Sequence, residues 1–154
     1  MSTTPDCPVD FIQVNENRVR LTALWVFLLL VVTLLILKLA LPLFIFLIID
    51  FFLRAFNFGK FSPLNILSGI AVKQFKIPNK PIDQAPKRFA AGIGFVLSVT
   101  TVVLIITDFP KTVFVLTVIF ASFAFLESFL SFCAGCYVYS FLQRLNLVGK
   151  PKKI

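Results

Sequence analysis

The sequence predicts an all-α, polytopic membrane protein: four transmembrane helices, with a cytoplasmic amphipathic helix between the second and third. Three observations predict it. The 154-residue chain is 58% hydrophobic and 14% charged, with 20 phenylalanines and a mean hydropathy of +0.95, against roughly 25% charged residues in soluble domains. Apolar tracts long enough to cross a bilayer recur along it. Lysine and arginine collect at alternate tract ends. Such a composition leaves too little polar surface to cover a water-soluble globule, and its apolar content excludes a disordered chain. With no histidine, imidazole acid–base catalysis and His-ligated metal or haem sites are excluded too.

The first apolar tract, Leu21 to Phe56, is too long for one crossing and is interrupted by Lys38 and Pro42. It divides into spans over residues 17–37 and 41–56. Proline fits the first turn of the second helix, where its missing N–H costs nothing. Near the end of that helix, Asp50 and Arg54 form an i,i+4 pair in the favourable order. The third span covers 88–107, Asp108-Phe109-Pro110-Lys111 is a turn, and the fourth covers 112–142. The last tract, Thr112–Leu145, exceeds one crossing, so it tilts, protrudes or breaks, with Gly135 the expected break. Residues 1–16 read as an N-terminal tail and 146–154 as a basic C-terminal tail. The opening residues lack a positive n-region and the first tract is span-length, so the first helix is expected to stay as an anchor.

The connection 57–87 has its own pattern. Ser62-Pro63 is a helix-start signal. Leu64, Leu67, Ala71 and Phe75, with Ile66 and Ile70, form a stripe of roughly helical period, predicting a helix over 63–76. It either lies on the cytoplasmic leaflet or packs over the bundle ends, and the two are compatible. A proline-punctuated loop follows, and Asp83 and Pro86 suit the start of the third span. Ala90, Ala91, Gly92, Gly94 and Ser98 suit close helix packing in lipid.

Four spans put both tails and the middle connection on one side. Of 15 lysines and arginines, only Lys38 and Lys111 fall on the other, leaving thirteen. Both termini are therefore expected in the cytoplasm, in a cell inner membrane, with the net charge of +8 facing anionic inner-leaflet lipid. Basic residues spread along membrane borders do not suit nucleic acid. A membrane or redox protein is the other expected partner class.

Three cysteines are present. Cys133-Ala134-Gly135-Cys136 brings two sulfurs to one side of a helical turn, and Cys7 lies in the N-terminal tail; all three belong to the predicted cytoplasmic half. A permanent disulfide is not expected in that reducing compartment, whereas a reversible thiol pair is compatible with it. Two buried small residues packing in a helix contact explain the same spacing. Zinc needs a fourth ligand such as Asp6 or Asp10; no residue pattern specifies a metal, and a quinone is compatible with the site but equally unspecified. Glu127 lies in the apolar stretch Phe123–Phe129, where a carboxylate is expensive and marks a site or a structural partner for a cation or hydroxyl. Asp50 is explained by Arg54, or by Arg18 and Arg20 on the neighbouring helix. Lys87-Arg88 sit at headgroup level, as a positive-inside anchor or as a holder of an anionic group.

Several motifs together resemble one family: Cys7-Pro8-Val9-Asp10, Val14–Arg20, Asp50–Phe56, Phe61-Ser62-Pro63, Ala85–Ala90 and Cys133–Cys136. The chain resembles the small bacterial membrane proteins of domain of unknown function 4395, from about Cys7 to Leu145. The resemblance implies a single four-span domain and supplies no activity. Its polar residues all fall at the predicted cytoplasmic end, where they can form one site. Cys133, Cys136 and Cys7 are the expected thiols, with Glu127, Asp50, Arg18, Lys87 and Arg88 as supporting groups. Thiol–disulfide exchange or sulfur handling is the first expected function. The alternatives are a non-enzymatic accessory or scaffold subunit, and a small transporter subunit with Glu127 and Asp50 along a polar path.

Overall fold

A computed structural model describes residues 13–130 together with 137, 138, 141, 144 and 145. Cys7, Cys133, Cys136, Gly135 and both tail ends lie outside the described residues. Among the described residues, five α-helices carry the fold: α1 (Glu16–Leu35), α2 (Ala40–Ala55), α3 (Pro63–Gln74), α4 (Ala85–Ile106) and α5 (Pro110–Leu130). A 3₁₀ turn at Leu37–Leu39 joins α1 to α2. Glu16–Leu35, Lys87–Ile106 and Pro110–Leu130 are each long and apolar enough to cross a membrane.

Tertiary bonds orient the helices. Thr22 on α1 donates to Ser68 on α3 at 2.9 Å, so the start of α1 and all of α3 share one end. The chain reaches α3 from the far end of α1 only through α2, which therefore runs the length of the bundle. The Arg20 guanidinium donates to the Ser128 and Phe129 carbonyls, both at 3.0 Å, bringing the last turn of α5 to that same end. The start of α4 joins it through Lys87 and Glu127. Every lysine and arginine of residues 13–130 except Lys38 and Lys111 belongs to this end, or to the segments 57–62 and 75–84 that leave and re-enter it.

The packing is inverted relative to a water-soluble bundle. Thr22, Thr33, Ser68, Ser98, Thr101 and Thr117 are at most 2% exposed, and each hydroxyl bonds a carbonyl one turn back in its own helix or a neighbouring side chain. Leucine, isoleucine, valine and phenylalanine populate the outer faces of all five helices. Leu30, Phe44, Leu47, Phe51 and Phe120 form the apolar centre, with the Phe51 and Phe120 rings 5.6 Å apart. Helix α3 follows the same rule. It buries Leu64, Ser68 and Val72 and turns Ile66, Leu67, Ile70 and Phe75 outward.

Ser62 caps α3 as expected: its Oγ accepts from Asn65 N, with Pro63 in the first turn. Helix α4 starts differently. Its N-cap is Gln84, whose side chain does not cap, and Pro86 occupies the first turn. Residues 13–15, predicted as tail, form β1 (Gln13–Asn15), antiparallel to β2 (Pro81–Asp83), with Val14 opposite Ile82. Glu16 N donates to Lys80 O at 2.9 Å, and the Lys80 ammonium lies 2.8 Å from the Glu16 carboxylate. Asn15 caps α1 through Asn17 N, and Asn17 Nδ2 donates to Pro78 O. Gly94 serves the close packing predicted for it, since a Cβ there would meet the Phe51 ring at 2.7 Å; Gly92 has nothing within 4 Å and makes no such contact.

Candidate functional site

At the basic end, the starts of α1 and α4, the ends of α2 and α5, and α3 line a cavity of about 600 Å³, within the range of small-molecule sites. Each helix delivers a charge to it. Arg18 reaches from the first turn of α1 across to α3, where its Nε donates to Asn65 O at 3.0 Å. Its guanidinium lies against Gly69, where a Cβ would sit 3.0 Å away, so the side chain fits because position 69 has none. Arg54 comes from the last turn of α2, Lys73 from α3, and Lys87 and Arg88 from the first turn of α4. Arg88 Nε donates to Ala55 O at 3.4 Å. Glu127 is the acid on the wall, and the Lys87 ammonium contacts it at 3.1 Å.

Asp50 lies behind Arg54, fully buried. Its Oδ1 accepts from Ser62 Oγ at 2.5 Å and from Leu64 N at 3.2 Å, which ties the end of α2 to the start of α3. Its Oδ2 faces Arg54 Nη2 at 2.8 Å, off the angle of a hydrogen bond, so the contact is an ion pair without a directed bond. The Arg54 guanidinium also sits 4.5 Å from the Phe51 ring centroid, a favourable cation–π placement. Its Nε is buried without a partner among the described residues.

The structure thus gathers Arg18, Lys87, Arg88 and Glu127 of the sequence-predicted set around one cavity, with Asp50 as the support behind it. Arg18 and Arg20, offered as alternative partners for Asp50, go elsewhere, to α3 and α5. Sequence reasoning missed Lys73 as a member of the site, since a lysine near a helix end gives no signal of inward placement. Arg54 was legible as a partner for Asp50 and as one of the polar residues in the family motifs, but was not assigned a role in the site. Cys7, Cys133 and Cys136 lie outside the described residues. Among the described residues, no three Cys, Asp or Glu side chains converge as metal ligands.

Five cations against Glu127 and Asp50 leave the cavity three charges positive. A pocket lined by charge of that sign concentrates anions, and three of the cations are guanidinium forks suited to oxyanions. Fold and site together define a helical bundle, compatible with membrane insertion, carrying a cation-lined pocket at one end. Residues 14–144 match the family described as Domain of unknown function (DUF4395), and the chain belongs to that family. No curated protein and no solved structure matches it.

Proposed function

We propose that this protein crosses a bacterial inner membrane four times, with both termini and the basic end at the cytoplasmic face, and that it binds an anionic small molecule in the end cavity. The gathering of Arg18, Arg54, Lys73, Lys87 and Arg88 around one cavity carries this reading. The outward apolar faces and inward hydroxyls support lipid as the surrounding solvent. Helix α2 has 16 residues and rises about 24 Å; it counts as a crossing because it links the two ends of the bundle. The exposed apolar face of α3 supports its lying in the inner leaflet, against anionic lipid.

The thiols are the proposed chemical group. Glu127 and Val138 both line a second cavity of about 130 Å³ that adjoins this one, and Cys133 and Cys136 fall between them in the sequence. In thiol–disulfide exchange, a thiolate of the pair attacks one sulfur of a substrate disulfide and releases the other as thiolate. The second thiolate of the pair then displaces the first product, so the pair is oxidised and the substrate becomes two thiols. Glu127 and Asp50 do not support a transport path, because each is taken by a cation at the same end.

Calorimetry on the purified protein with inorganic phosphate tests the binding. Saturable binding that weakens at least about fivefold in Lys73→Gln and Arg88→Gln is expected; no binding, or binding indifferent to both changes, overturns the reading. The double variant Cys133→Ser/Cys136→Ser should bind phosphate as before and lose exchange with a small disulfide, whereas retained exchange removes the thiol step.

A further inference from the structure

We infer that the occupant of this site is a single-chain amphiphile with a phosphate-type head, its head among the cations and its chain in an apolar slot between α4 and α5. The inference rests on the anion-binding reading and names its ligand class. The cation-lined cavity does not end at its charged rim. It shares Phe51, Arg54, Ala90 and Glu127 with a second cavity of about 130 Å³. Val26, Leu97, Phe120 and Ala124 bound that cavity further in. Leu97 and Phe120 lie about two turns inward of Ala90 and Glu127, so the slot reaches about 10 Å below the rim.

Small side chains open the slot. Ala90 and Ala124 leave space between the two helices that larger residues would fill, and the Phe51 ring, which takes the room a side chain at Gly94 would need, forms one side. Phe123 on the same wall is 45% exposed, so the slot borders the outer, apolar surface of the bundle. A ligand with a hydrocarbon chain can enter from there without leaving lipid. The volume is close to that of an apolar cavity holding one benzene-sized group, which accommodates one chain and not two.

Arg54 stands where the cavities meet. One face of its guanidinium is used by Phe51 and one nitrogen by Asp50, which leaves the buried Nε as a spare donor at the junction. A buried donor without an acceptor is costly, and a small shift of the side chain that brings it to a head oxygen at the rim satisfies it. The three net positive charges around it match a phosphate monoester, which carries about −1.5 to −2. A free inorganic anion satisfies the head but leaves the slot empty, so the two sources differ in chain dependence.

The protein's single tryptophan, Trp25, packs against the core cluster that includes Val26, Phe120 and Ala124 of the slot wall and reports on it. The test uses full-length protein in bilayer discs of zwitterionic lipid, with octyl phosphate brominated near its chain end as a quencher of Trp25. The anionic probe should quench at a mole fraction at least about tenfold below that of the brominated octyl glucoside, whose head is neutral. Each buried methylene is worth roughly fourfold in affinity. Unlabelled octyl phosphate should therefore displace the probe at least about tenfold better than butyl phosphate. Ala124→Leu, which fills the slot, should abolish quenching and keep inorganic phosphate binding; the chain-length comparison on the unmodified protein stands if that variant does not fold. Equal quenching by the neutral probe, or phosphate binding with no chain dependence, overturns the amphiphile while the anion reading survives. Binding by neither inorganic phosphate nor octyl phosphate overturns both.

Discussion

Replacing Asp50 by alanine should destabilise the protein by about 4 kcal/mol, and the structure shows where the loss arises. Asp50 is fully buried and serves three partners: Ser62 Oγ, Leu64 N and Arg54. Charge-assisted hydrogen bonds contribute roughly 1.5–3 kcal/mol each, and breaking a buried ion pair by removing one partner costs roughly 3–5 kcal/mol. These terms overlap and do not add, and Arg54 at 19% side-chain exposure regains some hydration. Asp50→Asn keeps an acceptor for Ser62 and Leu64 but points an amide donor toward Arg54, so about 2 kcal/mol is expected. Asp50→Leu/Arg54→Leu removes both charges and should recover much of the loss. Reversible unfolding in mixed micelles, followed by circular dichroism, measures all three. An Asp50→Ala variant within about 1 kcal/mol of the parent, or a double leucine variant no better than Asp50→Ala, would refute the reasoning.

Two further outcomes follow from the packing and from the site. Gly94→Ala should cost about 1–2 kcal/mol in the same unfolding assay, because its Cβ meets the buried Phe51 ring at 2.7 Å, while Gly92→Ala, with open space around it, should be neutral or gain up to about 1 kcal/mol. Glu127→Gln should lower stability by about 0.5–1 kcal/mol through the partly buried Lys87 pair. The same variant should tighten phosphate binding about fivefold by calorimetry, since it removes an acid from the cavity wall; weaker binding would contradict the charge argument.

The helices were legible because hydropathy writes them locally. Lys38 and Pro42 marked the break between α1 and α2, Ser62-Pro63 marked the start of α3, and Asp108 to Lys111 marked the turn before α5. Asp50 and Arg54 were legible as a pair because one helical turn separates them. What escaped depends on distance along the chain. Lys87 and Glu127 meet across 40 residues, and nothing local links them. The β1–β2 pairing escaped because two three-residue strands carry no periodic signal. The apolar stripe of α3 was seen, but its direction was not. In water it would face the protein; here Ile66, Leu67 and Ile70 face outward and Ser68 faces Thr22. Gly92 and Gly94 look alike in sequence, and only the position of Phe51 separates them.

Where the basic end faces decides the whole account. Single cysteines placed at Lys38, Lys111 and Lys60 in a cysteine-free background, treated in intact cells with a membrane-impermeant maleimide, measure it. Lys38→Cys and Lys111→Cys should label at once, and Lys60→Cys only after permeabilisation. Labelling of Lys60→Cys in intact cells, with the other two protected, would turn the cation-lined cavity to the outside and contradict the account.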